Sequence, residues 1–135
     1  MSTLRAGLLD TSVFIARESG RALGELPDRV AVSVVTIGEL QLGVLAASSA
    51  GQRARRGETL ALARAADPIP ISEAVMVSWA RLVSDCRDAG VQRTVKLTDA
   101  FIAATAVEHG LPVITQDDDF ETIANAHARL TVQRV

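Results

Sequence analysis

Short apolar segments alternate along this chain with longer segments of helical pattern, and this alternation restricts the possible folds more than any other feature. The apolar segments cover residues 4–9, 30–35, 111–115 and 130–135, with a proline-containing extended piece at 68–71. The helical segments cover residues 11–19, 36–47, 52–66, 72–89 and 98–110. Strands separated by helices pair in parallel, in a sheet that helices cover on both faces. We therefore expect an α/β protein, a three-layer α/β/α sandwich around a central, mainly parallel sheet of four to five strands.

Smaller features complete this predicted layout. Residues 21–26 are expected to form a short helix, and residues 121–126 a helical turn after a loop at 117–120. Thr36 and Ser72 are expected to cap their helices, because a hydroxyl oxygen can accept an amide proton of the first turn. No change in composition marks a boundary, so residues 1–135 are expected to form one domain.

The composition excludes several classes of protein. Apolar residues make up 48% of the chain but aromatic residues only 3%, so the core must consist mainly of Leu, Val, Ile and Ala. The apolar runs are far shorter than the roughly 20 residues of a membrane-spanning helix. Cys86 is the single cysteine, so no intrachain disulfide can form. Because the first residues also lack a signal-peptide pattern, a cytoplasmic location is expected.

The net charge is −2, which argues weakly against a nucleic-acid partner, since such proteins are usually basic. The basic residues are thirteen arginines and one lysine, Lys96. A pocket of clustered carboxylates would lower the total charge, and a bound divalent cation would offset several of those negative charges. Net charge therefore does not decide whether RNA is a partner.

Acidic residues stand where predicted strands end or where the following helices begin. Asp10 ends the first strand, Glu39 lies one turn into the helix after the second, and Asp99 opens a later helix. Asp117, Asp118 and Asp119 directly follow the strand at 111–115. Ligands of parallel sheets bind at the carboxyl ends of the strands. If the strands are neighbours, these carboxylates converge at one edge of the sheet.

Such a cluster predicts a site for a hard divalent cation. Gathered carboxylates repel one another and their pKa values rise, a penalty that a bound cation removes. Two histidines and one cysteine are too few for a His-rich or Cys-rich zinc site. Oxygen ligands favour Mg²⁺ or Mn²⁺, which can polarise a phosphoryl oxygen and lower the pKa of a bound water. This is the equipment for hydrolysis of a phosphodiester bond.

Each acidic position also has a purely structural explanation. Thr36 and Glu39 match a capping box, in which the glutamate reaches back to the N-cap amide. Asp99 could act only on the helix macrodipole, and Asp10 could act only as a helix cap. The aspartates at 117–119 could form an ordinary solvated turn. The argument for a site comes from all four stretches falling at the same predicted edge.

The motifs that carry these acids resemble those of a known family in their order and spacing. They are residues 8–12 (LLDTS), 36–40 (TIGEL), 97–100 (LTDA) and 113–120 (VITQDDDF). Together they look like a PIN domain and, more narrowly, like the VapC toxins of bacterial toxin–antitoxin pairs. The resemblance covers essentially the whole chain. It implies an endoribonuclease that needs Mg²⁺ or Mn²⁺, usually forms a homodimer and is silenced by a cognate antitoxin protein.

The resemblance also implies a set of site residues. Small hydroxyl side chains, which match the family's supporting positions, are Thr11, Ser12 and Thr115. Asp118 matches no position with a role in the family. The implied catalytic residues are Asp10, Glu39, Asp99, Asp117 and Asp119, of which Asp10, Asp99 and Asp117 are the implied metal ligands.

Three other functions compete with a ribonuclease. A phosphotransferase of the haloacid-dehalogenase type needs a second Asp two residues after its nucleophile, but Ser12 stands there. A receiver-like signalling domain needs an aspartate after a middle strand, but Thr36 follows residues 30–35. A non-catalytic RNA-binding PIN module stays possible, although the complete acidic set speaks against it.

Surfaces for partners are less well defined by the sequence. The RNA phosphates require cations, and the candidates are Arg53, Arg55 and Arg56 on one helix, with Arg87, Arg93 and Lys96 on the other side. A solvated helix face explains these residues equally well. Trp79 shares helical spacing with apolar neighbours, so we expect it in the core or in a homodimer interface.

Overall fold

The computed structural model describes residues 5–135. In this part of the chain the strands are β1 (Ala6–Leu9), β2 (Arg29–Ala31), β3 (Val113–Thr115) and β4 (Val132–Arg134). The helices are α1 (Thr11–Glu18), α2 (Val34–Leu45), α3 (Ala50–Arg64), α4 (Glu73–Asp88), α5 (Leu97–Glu108) and α6 (Asp119–Ala126), with a 3-10 helix at Gln92–Thr94. The predicted first strand began at Leu4, which lies outside the described residues.

The four strands form one parallel sheet in the order β2-β1-β3-β4. The two central strands pair with Leu8 opposite Val113 and Leu9 opposite Ile114. Because successive side chains of a strand point to opposite faces, the two pairs enter different layers of the core. Leu8 and Val113 pack with α4, α5 and α6, whereas Leu9 and Ile114 pack with α1, α2 and α3. The predicted α/β fold with helices on both faces is therefore confirmed.

The layer beneath α4 and α5 contains the single tryptophan. Trp79 is half-buried and its ring stacks on Phe101, with centroids 5.5 Å apart and planes 19° from parallel. Cys86 is buried in the same layer, where burial and the charge of Asp85 raise the pKa of its thiol. Trp79 therefore contributes to core packing, as expected, and Cys86 is held in its protonated, unreactive form.

The starts of the first four helices, α1 to α4, are fixed by polar caps. Asp10, Ser33, Ser49 and Ser72 each accept an amide proton from the first turn of α1, α2, α3 and α4, respectively. The prediction for Ser72 is thus confirmed. The prediction for Thr36 is wrong, because the Ser33 hydroxyl accepts the Val35 amide at 3.1 Å and α2 begins at Val34. The strand expected to reach residue 35 consequently ends at Ala31, since a serine cap outweighs the β-preference of two valines.

Two further predictions are wrong, one in the type of secondary structure and one in the position of a boundary. Neither a helix nor a strand forms at residues 21–26, where Gly24 lies close to the backbone of Val135. The loop expected at 117–120 is shorter, because α6 already begins at Asp119. Elsewhere the differences are small: α5 begins one residue before Thr98. The extended piece near Pro68 forms one bridge, between Ile69 and Ser33, at the edge of the sheet.

Close packing of the two central strands leads to a test of the fold. A methyl group on Gly7 would lie 2.5 Å from Cγ1 of the buried Ile114. We predict that Gly7→Ala lowers the free energy of unfolding by roughly 1–3 kcal/mol through overpacking. Urea denaturation followed by circular dichroism measures this change.

Gly57 within α3 provides the matched control. Nothing lies within 4 Å of a Cβ at this position. Gly57→Ala should raise the free energy of unfolding by about 0.5–1 kcal/mol, the cost of a glycine inside a helix. Equal effects of the two substitutions would contradict the packing described for Gly7.

Candidate active site

Asp10 lies at the junction of β1 and α1, on the carboxyl edge of the sheet. Its backbone amide continues the pairing with β3 by donating to the carbonyl of Ile114 at 3.0 Å. Its side chain is 4% exposed, so this carboxylate is held almost entirely by protein groups. The backbone amide of Ser12 donates to Oδ1 at 3.0 Å. Asp10 is thus both the cap of α1 and a buried carboxylate at the sheet edge, and one role does not exclude the other.

Two hydroxyl groups hold the second oxygen of Asp10. The side chains of Ser12 and Thr115 donate to Oδ2 at 2.8 and 2.5 Å. Each hydroxyl also accepts an amide proton from the loop after β3: Ser12 from Gln116 and Thr115 from Asp117, both at 3.0 Å. Because each hydroxyl has one proton, these bonds fix its direction toward Asp10. The carboxylate on β1 and the loop after β3 are therefore held in one network.

Glu39 reaches this edge from the second turn of α2. The hydroxyl of Thr11 donates to its Oε1 at 2.7 Å and lies 3.2 Å from the hydroxyl of Thr36. Thr36 is completely buried inside α2, so Glu39 is not part of a capping box. The capping explanation for Glu39 is therefore wrong, and its carboxylate is held toward Asp10 by the residue next to Asp10.

Asp99 occupies the first turn of α5, half-buried, and its surroundings oppose its charge. Burial raises the pKa of Asp99 to about 7, and the charges of Asp10, Asp119 and Glu39 act in the same direction. Lys96 acts in the opposite direction. A carboxylate responds in this way only to charges that lie nearby, so residues from separate stretches meet at Asp99.

Asp117 shows the same influence from its position in the loop after β3. Burial is the largest cause that raises the pKa of Asp117, followed by the charges of Asp10 and Asp119. Lys96 and Arg21 lower it. The five acids predicted from the sequence are therefore brought to one edge of the sheet.

Three side chains near the site have places that the sequence did not indicate. Lys96 precedes α5, and its Nζ lies 3.9 Å from Oδ2 of Asp119. Arg21, in the segment that was expected to be a helix, lowers the pKa of Asp117. Asp118 is exposed and pairs with Arg134 of β4. Of these three contacts, the sequence hinted only at the one made by Lys96, through the basic residues around it.

The structure gives fewer contacts for the other basic residues that were expected to bind RNA. Arg56 donates to the carbonyl of Gly43 at 2.6 Å and lines a groove with Glu39 between α1, α2 and α3. Arg53 and Arg55 are exposed on α3, and Arg87 and Arg93 are exposed on the α4 side. A role of these arginines in RNA binding stays a prediction.

The donor set fits a hard cation in its chemistry. All five side chains offer carboxylate oxygens, and their mutual repulsion is the penalty that a divalent ion would remove. Within residues 5–135, however, no three acidic, histidine or cysteine side chains already stand as a chelating group. The side chains of Asp117 and Asp119 are exposed, and that of Asp119 pairs with Lys96.

A match to the PIN domain covers residues 7–126. This chain belongs to the PIN-domain family. Among its relatives in Mycobacterium tuberculosis, Ribonuclease VapC8 is 73% identical over 100 residues, which are 74% of this chain and 89% of the relative. Ribonuclease VapC5 is 48% identical over 127 residues, 93% of each chain. These relatives place the chain among the VapC ribonucleases of that family.

Solved structures agree with this assignment. A member of the VapBC family of toxin–antitoxin systems, VapBC-5 from Mycobacterium tuberculosis, matches with a TM-score of 0.87 at 43% identity. The match covers 97% of this chain and 99% of that one. VapBC2 from Rickettsia felis, bound to a promoter DNA fragment, matches with a TM-score of 0.75 over 96% and 98% of the chains. Its identity of 17% shows only that the fold is shared.

The raised pKa of Asp99 leads to a prediction for the protein without metal. Between pH 3.8, the ordinary pKa, and about 7, the folded protein keeps a proton that the unfolded chain has released. Stability contributed by this proton is therefore lost as the pH rises through this range. In chelator, the Tm of the natural protein should fall relative to that of Asp99→Asn between pH 4 and 8. Differential scanning calorimetry measures both proteins, and a Tm difference that does not change with pH would contradict the clustering of charge around Asp99.

Proposed function

We propose that this chain is a metal-dependent endoribonuclease, the toxin of a toxin–antitoxin pair. The proposed ligands of one Mg²⁺ or Mn²⁺ are Asp10, Asp99 and Asp117, with Glu39 and Asp119 beside them. One observation carries the proposal: hydrogen bonds and one ion pair bring carboxylates from four separate stretches together at the carboxyl edge of the sheet. Relatives named as ribonucleases, 73% and 48% identical, support RNA as the substrate.

When bound, the cation supplies a polarised phosphoryl oxygen and a water of lowered pKa. The chain's own residues then have distinct tasks. Asp10 is fixed by three hydrogen bonds, so it provides a ligand of constant position. Glu39 has one oxygen occupied by Thr11, which leaves the other to orient the attacking water and accept its proton. Lys96, exposed beside Asp119, offers a cation to an RNA phosphate.

The alternatives are less well supported by the contacts at Asp10. The hydroxyl groups of Ser12 and Thr115 both donate to Oδ2 of Asp10. Ser12, which stands where a phosphotransferase needs a second acid, is one of those donors. Five clustered carboxylates do not suit a non-catalytic RNA-binding module, because they repel one another and also repel the phosphates of RNA.

Partner proteins are also part of the proposal. The solved relative VapBC-5 is a member of a toxin–antitoxin family, and we propose an antitoxin as the partner of this chain. Its docking surface would be the groove between α1, α2 and α3, which Glu39 lines and beside which Leu42 and Leu45 are 68% and 73% exposed. A partner seated there would cover apolar surface and obstruct the site together. The homodimer implied by the family resemblance stays a prediction.

The cation requirement is tested by cleavage of RNA with and without metal. Purified protein should not cleave RNA in EDTA, and Mg²⁺ or Mn²⁺ added in excess should restore cleavage. Asp99→Asn should abolish cleavage at saturating metal while the circular dichroism spectrum is retained, because asparagine lacks the charge that a hard ion prefers. Full cleavage in EDTA would contradict the metal mechanism. Full activity of a folded Asp99→Asn protein would remove Asp99 from the site.

Glu39→Gln tests whether the charge of Glu39 is needed. Glutamine can still accept the proton of Thr11, so we expect the Tm to change little. Cleavage at saturating Mg²⁺ should fall by about 10²–10⁴-fold, the usual contribution of a proton acceptor. Initial rates on a fluorescent RNA measure the loss.

Glu18→Gln is the matched control, because Glu18 lines the same groove and accepts a proton from Thr59 at 2.8 Å. It makes the same change of charge away from the carboxylate cluster, and we expect it to cleave RNA at the natural rate. If both substitutions reduce cleavage equally, the effect comes from the groove and not from a role of Glu39 in the chemistry.

A further inference from the structure

Asp118, the acid to which the sequence assigns no role, is tied to the C-terminal strand. Arg134 of β4 donates from Nη1 to the Asp118 carboxylate and from Nη2 to the backbone carbonyl of Gln116 at 2.8 Å. Arg134 stands beside Thr115 in the register of β3 and β4, directly before this loop. One guanidinium therefore holds both chain neighbours of Asp117.

The loop is held from its other side as well. The Gln116 amide donates to Ser12 and the Asp117 amide donates to Thr115, so the backbone is anchored to the hydroxyls that hold Asp10. The side chain of Gln116 donates to the terminal segment, at the carbonyl of Val135. The Asp117 side chain itself is exposed. The position of the Asp117 side chain is thus set by the backbone of the loop.

The contacts of Arg134 restrain this backbone on both sides of Asp117, at Gln116 and at Asp118. A guanidinium bonded at two points fixes orientation as well as distance.

We propose that Arg134, with Asp118 and Gln116, forms a clamp that positions Asp117 for the divalent cation. The Arg134 clamp rests on the proposed function, since it assigns a purpose to the geometry of a proposed metal ligand. Arg134 and Asp118 are positioning residues and take no part in the chemistry. The clamp makes the last strand of the chain part of the active site.

An ordinary surface ion pair is the competing explanation. The two side chains are 49% and 77% exposed, and such pairs contribute little to stability. Charge alone makes a prediction opposite to that of the clamp. Removing a positive charge near a cation site should strengthen binding of the cation, whereas removing the clamp should weaken it. Arg134→Gln therefore separates the two explanations by the sign of the effect.

The experiment measures Mn²⁺ binding by isothermal titration calorimetry, without RNA. For Arg134→Gln we expect a Kd for Mn²⁺ that is about 10-fold or more higher, the usual effect of losing a group that orients a ligand. The Tm should stay within about 4 °C, as for an exposed pair. Arg134→Lys should recover only part of the affinity, because a lysine cannot bond Asp118 and Gln116 with one planar group.

Arg129→Gln is the matched control, since Arg129 is exposed beyond the opposite end of α6 and should leave the Kd unchanged.

The outcomes separate the clamp from the proposed function. If the natural protein binds Mn²⁺ and Arg134→Gln binds it equally or more tightly, the clamp is overturned and the metal site stands. If the natural protein binds no Mn²⁺ at all, the proposed function fails, and the clamp fails with it. Weaker binding by Arg134→Gln that is shared equally by Arg129→Gln is not specific to the loop around Asp117, and it also overturns the clamp.

Discussion

The pairing of β1 with β3 is the interaction on which the rest of the site depends. Its register places Leu9 opposite Ile114 and extends through the bond from the Asp10 amide to the Ile114 carbonyl. The residues after these strands are consequently neighbours, and the hydroxyl of Thr115 reaches Oδ2 of Asp10. A shift of one residue would exchange the two faces of each strand and separate these side chains.

The site gathers like charges at a place where protein groups are arranged to hold them. Asp10, the most buried of the five acids, has donors on both oxygens. Asp99 and Asp117 have fewer supports, and their pKa values are raised by burial and by their acidic neighbours. The charge distribution of the protein without metal is thus unfavourable in the way that a divalent cation corrects. Clustering these carboxylates lowers the stability of the folded protein, and the same clustering favours binding of the cation.

Much of the fold and of the acidic set could be predicted because both depend on local signals. Apolar segments of strand length alternate with helices, and every acid of the set except Glu39 follows a strand or stands in the first turn of a helix. Helix ends were less predictable where two signals compete. Ser33 caps α2 three residues before Thr36, and the choice between them depends on where the chain leaves the sheet. The irregular segment at 21–26 likewise lies against Val135, more than 100 positions away, which no local pattern indicates.

The sequence by itself determined the class of fold, the parallel direction of the strands and which acids stand at their carboxyl ends. These follow from the periodicity of apolar residues and from the alternation of strands with helices, both of which can be read along the sequence. Only the tertiary structure decided that Thr36 lies beside Thr11 and not at a helix end, that Lys96 lies beside Asp119 and that Arg134 holds Asp118. Such contacts join residues distant along the chain, and no local pattern encodes them. They form because two helical layers pack on one sheet, and this packing brings the ends of different helices and strands to the same edge.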